Sequence, residues 1–343
     1  METKVEKISV TDGNEKYSEA VNLLRNNEVV GMPTETVYGL AGNALSEVAV
    51  KKIFEAKGRP SDNPLIVHIS EFNSIYDLVE YVPENAKKLA DAFWPGPLTV
   101  ILPKSEKVPY CTTGNLETVA VRCPAHPIAR KLIKLSGCPI AAPSANLSGK
   151  PSPTKASHVF EDLNGKINLI IDGGECEEGV ESTVITLATE KPRLLRPGNV
   201  TLKELKSVLG EVEVDNAVLN PLQNTEKASS PGMKYKHYSP NADITLVKGD
   251  YGKFCRYVND EKSDGTYAMI FNEDDESLLN VPYIKYGNEN YKMLSHSLFD
   301  ALRELDKLNV KKCYVRYPDD SNDDNLAVLN RLLRAAGFKV IAL

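Results

Sequence analysis

Residues 31–70 read GMPTETVYGLAGNALSEVAVKKIFEAKGRPSDNPLIVHIS, and this stretch decides the fold class. The apolar run EVVGM enters a threonine-rich turn, PTET. SEVAVKKIFEA then has helical spacing, with Ser46 placed to cap it. NPLIVHI reads as a buried strand whose Pro64 sits at the start, where a missing N–H is tolerated. Strand, turn, helix, loop and strand within forty residues specify an α/β protein. Lys57 and Arg59 flank Gly58 at the helix end, and Pro60, Asn63 and Pro64 stiffen the loop that follows. Cations beside such a loop are one way to hold several phosphates, a lysine as a point charge and an arginine as a bidentate fork. A solvated surface pair is the competing reading. Neither GxGxxG nor a Walker loop accompanies the pair, so a phosphate site here needs another architecture.

Working outward, SEAVNLLRNN and the segments Glu84 to Phe93, His126 to Ser136 and Leu202 to Leu209 have helical periodicity. PLTVILP, TVAVRCP, NLIIDGG and STVITL are strand candidates bounded by Gly, Pro or Asn. Adjacent strands mixed with helices predict one large twisted α/β sheet over residues 1–210. From 211 to 240 the periodicity lapses into turn formers and charges, which predicts a linker. Residues 241–343 alternate again: DITLVKG, GTYAMIF, KKCYVRYP and FKVIAL as strands, Tyr291 to Leu308 and Asp323 to Ala336 as helices. That order predicts a smaller Rossmann-like sheet without a glycine-rich phosphate fingerprint.

Composition excludes several classes. Charged residues make up 26% and hydrophobic residues 42%, ordinary values for a folded chain. The 41 Lys+Arg against 47 Asp+Glu give a net charge of −6, which argues against broad coating of nucleic acid. No apolar run is long enough for a membrane span, and METKVEKISV lacks the apolar stretch of a secretory signal, so a cytoplasmic location is expected. The six cysteines form no CxxC and no Cys-His cluster, and read as reduced buried thiols rather than a zinc site. The acidic clusters at Glu273 and at Asp319 to Asp323 read as solvated loops.

Two further blocks stand out. APSANLSGKPSPT, from Ala142, places Ser144 and Asn146 in a proline-punctuated loop whose hydroxyl and amide can bond phosphate oxygens or cap a local turn. SPGMKYKHYSP, from Ser230, crowds Lys234, Lys236, His237 and Tyr238 between prolines. Arg122 ends the strand TVAVR, where a guanidinium needs an anionic partner such as an α-carboxylate. His68 reads from the sequence as a satisfied core histidine.

Together PTETVYGL, KGRP, NPL, the SAN loop and the HYSP block resemble the two-domain branch of the threonylcarbamoyl-AMP synthase family, with its YrdC-like catalytic domain. The resemblance implies that Lys57, Arg59, Ser144 and Asn146 form the catalytic phosphate-binding group. It implies ATP contacts from Arg59, Asn63, Thr118, Ser144, Ser152, Arg196 and His237. L-Threonine would meet Thr36, His68, Arg122, Ala142 and Ser182. Lys234 and Tyr238 are expected in a segment that closes over bound nucleotide, against the alternative of a rigid tether.

The implied reaction joins L-threonine, bicarbonate and ATP, with Mg2+, into threonylcarbamoyl-AMP and pyrophosphate. The product would feed a downstream transferase that modifies the adenosine beside the tRNA anticodon. No metal ligand is assigned to the protein itself. A non-catalytic double-stranded RNA or tRNA-binding module is the alternative, and a weak tRNA contact stays open. A carbamoyltransferase of the hydrogenase-maturation kind would need acylphosphatase and zinc-finger segments, which are missing from this sequence.

Overall fold

A computed structural model describes residues 2–221, 238–288 and 291–343. They form two compact units: 2–148 with Ser152–Val218, and Gly149–Pro151 with Leu219–Pro221 and 238–343. The first unit begins with β1 (Lys4–Lys7), α1 (Ser18–Arg25), β2 (Val30–Met32), β3 (Gly39–Asn43), α2 (Glu47–Lys57) and β4 (Ile66–His68). It continues through α3 (Glu84–Phe93), β5 (Leu98–Pro103), α4 (Tyr110–Thr113), β6 (Thr118–Arg122), α5 (Pro127–Ser136) and β7 (Ile140–Ala141). It ends with α6 (Ala156–Leu163), β8 (Leu169–Asp172), β9 (Thr183–Thr186), β10 (Arg193–Arg196), α7 (Leu202–Leu209) and β11 (Glu213–Val214).

These strands make one mixed sheet in the order β1-β8-β2-β3-β7-β4-β6-β5-β9-β10-β11. The strands β2 (VGM), β4 (IVH) and β9 (TVIT) are buried along their whole length, so neither face of these strands meets solvent and they show no inside-outside alternation. Leu24 of α1 and Leu132 of α5 pack on Val30, Met32 and Ile171 of the sheet, all 0% exposed. The helices start where their sequences dictate. Ser46 Oγ accepts from Ala49 N at 3.3 Å to start α2, Thr201 and Glu204 form a reciprocal capping box on α7, and His126 is the residue before Pro127 at the first position of α5.

The predicted helices at 84–93 and 202–209 coincide with α3 and α7. Within the segment expected as a linker, β11 pairs in parallel with β10, and Ala217 and Val218 are buried in a following turn.

The second unit contains β12 (Asp243–Lys248), α8 (Tyr251–Asp260), β13 (Thr266–Ile270), β14 (Tyr283–Lys285), α9 (Tyr291–Lys307), β15 (Lys312–Arg316), α10 (Leu326–Ala335) and β16 (Val340–Ala342). Its sheet runs β14-β13-β15-β12-β16, every pair parallel, as expected of a Rossmann-like unit. The turn from β12 into α8 ends with the Asp250 side chain accepting from Lys253 N at 2.9 Å. A carboxylate thus occupies the position a phosphate would take in a dinucleotide site.

The unit is packed like a core throughout, with Phe254, Val258 and Ile270 at 0% exposure. In the first unit, Leu132→Ala should lower stability by about 2–5 kcal/mol, because the gap beneath α5 cannot fully collapse. Urea denaturation checks this, and a loss below about 0.5 kcal/mol would contradict the packing described.

Candidate functional site

Several of the expected residues meet at one edge of the large sheet. β4 and β6 are parallel and in register His68 to Arg122, so both strands end together. β5 is antiparallel to β6 and therefore starts at the same edge, as does β9, which is parallel to β5. Arg196 closes β10, opposite Val184 of β9. Ala142 follows β7 directly, with its N–H donated to Ile66 O at 3.1 Å. Thr118 begins β6, about 13 Å from Arg122 at ~3.3 Å per residue.

The two phosphate-loop candidates are joined by one side chain. Gly58 ends α2 at φ +59°, a left-handed turn that a side chain would strain, and it separates Lys57 from Arg59 in the sequence. Lys57 is 3% exposed. Its ammonium donates to Ser144 O, to Asn146 O at 2.8 Å and to Asn146 Oδ1 at 3.4 Å. Burial, then the neighbouring Arg59 charge, lower its pKa well below the ordinary lysine value.

Three acceptors match the three donors of an ammonium. Lys57 thus ties the KGR turn to the SAN loop, the two segments expected to form the phosphate-binding group. The backbone strengthens the tie, with Ser148 N donating to Lys57 O at 2.9 Å. The SAN loop also zips onto the VYGL segment, through Ala145 N to Tyr38 O at 2.8 Å and Leu40 N to Pro143 O at 2.7 Å. Arg59 and Ser144 are half-buried beside this junction. Asn63 is fully buried, and its Oδ1 accepts no hydrogen bond within the described structure.

Arg122 already has partners within the protein. Its Nη2 donates to Glu35 Oε1 at 2.5 Å, Nη1 to Thr36 Oγ1 at 2.8 Å and Nε to Gly96 O at 3.2 Å. The partner that the strand end demanded is a protein carboxylate, one the sequence reading missed although it lies inside PTET. Burial raises the Glu35 pKa, but the Arg122 charge and backbone N–H groups outweigh it, and the net shift is downward. Thr34 Oγ1 lies 2.8 Å from Thr36 Oγ1 and donates to Val37 O at 2.6 Å, which fixes the turn. His68 is 2% exposed with Nδ1 3.2 Å from Ile66 O. Burial and the Arg122 charge push its pKa down to about 3, so the ring is neutral.

A third cluster links residues expected at different substrates. Arg196 donates from Nε to Ser182 O at 3.0 Å and from Nη2 to Ser182 Oγ at 3.1 Å. Ser182 Oγ also lies 2.7 Å from Thr99 Oγ1. Ser152 Oγ donates to the buried Glu181 carboxylate. Gly198 makes this approach possible, because a Cβ there would lie 2.5 Å from Thr183 N and 2.8 Å from Glu181 O.

Lys234 and His237 lie outside the described residues. Tyr238 is described: it is 4% exposed and packs on Phe299 with ring centroids 5.2 Å apart. Among the described residues no group of three or more His, Cys, Asp or Glu side chains is placed to hold a metal.

Two outcomes are expected. Lys57→Met should leave Ser144 O and Asn146 O short of a donor, raise the KM for ATP and cut turnover by about tenfold or more. Unchanged ATP kinetics in a folded variant would contradict the tie. For pH, the unfolded His68 ring takes up a proton below its ordinary 6.5, whereas the folded ring resists down to about 3. Its contribution to stability is therefore full above pH 6.5 and lost as pH falls. Glu35 acts in the same direction below the ordinary value of 4.5. Urea midpoints at pH 7 and pH 5 should differ less for His68→Asn than for the wild type, and equal differences would contradict the buried neutral ring.

Comparisons with known proteins identify the family and the fold. The Sua5/YciO/YrdC family model, described as telomere recombination, matches residues 22–198, and a model described as the threonylcarbamoyl-AMP synthase C-terminal domain matches 200–337. The chain is 48% identical over 326 residues to the threonylcarbamoyl-AMP synthase of Pyrococcus abyssi, with 94% of each chain covered. It is 46% identical to that of Bacillus subtilis, over 99% of this chain and 100% of the relative. The crystal structure of P. abyssi Sua5 complexed with L-threonine superposes with a TM-score of 0.93 at 46% identity, covering 99% of this chain and all of the other. E. coli YciO shares the fold alone, with a TM-score of 0.52 at 23% identity over 57% of this chain and 96% of that one. The chain belongs to the threonylcarbamoyl-AMP synthase family.

Proposed function

We propose that the chain is an L-threonylcarbamoyladenylate synthase, and by reaction class a nucleotidyltransferase. Bicarbonate and the threonine amine condense to a carbamate with loss of water. A carbamate oxygen then attacks the α-phosphorus of ATP, the bond from that phosphorus to the bridging oxygen breaks, and pyrophosphate leaves. The observation that carries the reading is the Lys57 tie between the KGR turn and the SAN loop, on the unit that also holds the Arg122 pocket.

Arg59 and Ser144 stand at that junction, where charge accumulates on the leaving pyrophosphate. A guanidinium and a hydroxyl suit phosphate oxygens, and Arg122 suits an α-carboxylate. Magnesium fits as a companion of ATP, since the loop offers hydroxyl, amide and carbonyl oxygens but no carboxylate cage; bound there it would neutralise phosphate charge. No side chain is assigned as a nucleophile. The chain's own work is placement of the two substrates and stabilisation of the departing charge.

The full-length relatives named as synthases favour this reading over a non-catalytic RNA-binding module. Among the described residues no helix is long and apolar enough to cross a membrane. A product destined for tRNA fits a cytoplasmic location and a downstream transferase partner.

Pyrophosphate release with ATP and bicarbonate should be fast with L-threonine and at least about tenfold slower with serine or valine, since each lacks a group that a fitted pocket uses. Equal rates with all three would sink the threonine assignment. Arg59→Ala should cut turnover by about a hundredfold at saturating ATP, the scale for losing one charge stabiliser of a leaving group.

A further inference from the structure

Glu35 and Arg122 form a buried ion pair whose side chains are only 5% and 4% exposed. Taking both charges from water is costly, so the pair persists only because each partner is held on several sides. Glu35 Oε1 accepts from Arg122 Nη2 at 2.5 Å, and Oε2 accepts from His126 N at 3.4 Å. His126 stands at the start of α5, where the helix dipole favours negative charge. The Glu35 backbone is pinned as well, its carbonyl accepting from Glu178 N at 2.8 Å.

Arg122 spends one N–H on Glu35, one on Thr36 Oγ1 and one on Gly96 O. A guanidinium has five N–H donors, so one remains on each terminal nitrogen. Those two are the donors a bidentate carboxylate contact draws on.

We infer that Glu35 is a positioning residue for L-threonine, fixing the plane of the Arg122 guanidinium so that its two remaining N–H groups meet the substrate α-carboxylate. This deepens the synthase reading and rests on it. Removing Glu35 has two opposed effects. A freer positive charge attracts a carboxylate more strongly, while a guanidinium held only by Thr36 and Gly96 loses its fixed plane. Placement decides, because a two-bond fork needs both donors coplanar with the carboxylate. A buried charge left without its counter-ion also turns to whatever acceptor or water it can reach.

The test compares wild type, Glu35→Gln, Glu35→Asp, Arg122→Gln and the double variant Glu35→Gln/Arg122→Gln. Threonine binding is followed by calorimetric titration, and steady-state pyrophosphate release by assay. Glu35→Gln should weaken threonine binding and raise its KM by about ten- to a hundredfold, with the KM for ATP unchanged and kcat within about threefold. Glu35→Asp keeps the charge and should fall between wild type and Gln. Because Glu35 acts through Arg122, the double variant should bind threonine within about twofold of Arg122→Gln alone.

Wild-type threonine affinity in Glu35→Gln, an equal rise in the ATP KM, or factors that multiply in the double variant would each overturn the inference. Should Glu35→Gln fail to fold, Glu35→Asp decides: a threonine-only rise of about threefold or more supports it, and an unchanged or parallel rise overturns it. A wild-type chain that binds threonine yet releases no threonine-dependent pyrophosphate would instead sink the synthase reading, leaving the binding comparison of the variants intact.

Discussion

The Lys57 ammonium is the contact on which the site depends. A lysine at 3% exposure has lost its hydration, and it is stable there only because Ser144 O, Asn146 O and Asn146 Oδ1 replace the water. Each end of that contact is already a fixed point. On one side Gly58 terminates α2 in a left-handed turn; on the other, the SAN loop is bonded to the VYGL segment. The result is that two loops 87 residues apart in sequence hold one geometry before any substrate arrives. Pre-organisation of this kind is where a reaction that relies on placement gains its rate.

The Arg122 side obeys the same rule with different chemistry. Arg122 and Glu35 cancel each other's charge inside the fold, and His68 beside them is held neutral by burial and by Arg122. The sheet supplies the precision: β4 and β6 end in register, β5 and β9 begin there, and β10 returns Arg196 to Ser182. Side chains at strand ends are fixed by ladders on both sides, so this part of the site sits on rigid elements.

Much of the fold was legible in the sequence, and the failures have identifiable causes. Strands rich in Val, Ile and Leu, such as β5, β6 and β8, announce themselves. β3, GLAGN, does not, because two glycines and an alanine have no strand propensity and only their neighbours make them a strand. β7 has two residues and no pattern at all. Within the site, the residue types at Lys57, Arg59, Arg122 and Ser144 pointed to anion chemistry. Nothing in the linear order said that Lys57 would face carbonyls or that Glu35 would face Arg122, because both pairings span more than eighty residues. Nothing in the linear order around Tyr238 says that its ring packs on Phe299 of α9. Thr99, which faces Ser182, gave no signal beyond being one polar residue in a buried strand.

The central claim is that Lys57 braces the loops while Arg59 and Ser144 face the phosphates. A crystal structure of the chain with L-threonine and a non-hydrolysable ATP analogue tests it most directly. The account predicts Lys57 Nζ still bonded to the carbonyls of Ser144 and Asn146, with phosphate oxygens on Arg59 and the Ser144 hydroxyl. Lys57 swung out of that loop and bonded to a phosphate oxygen would contradict it.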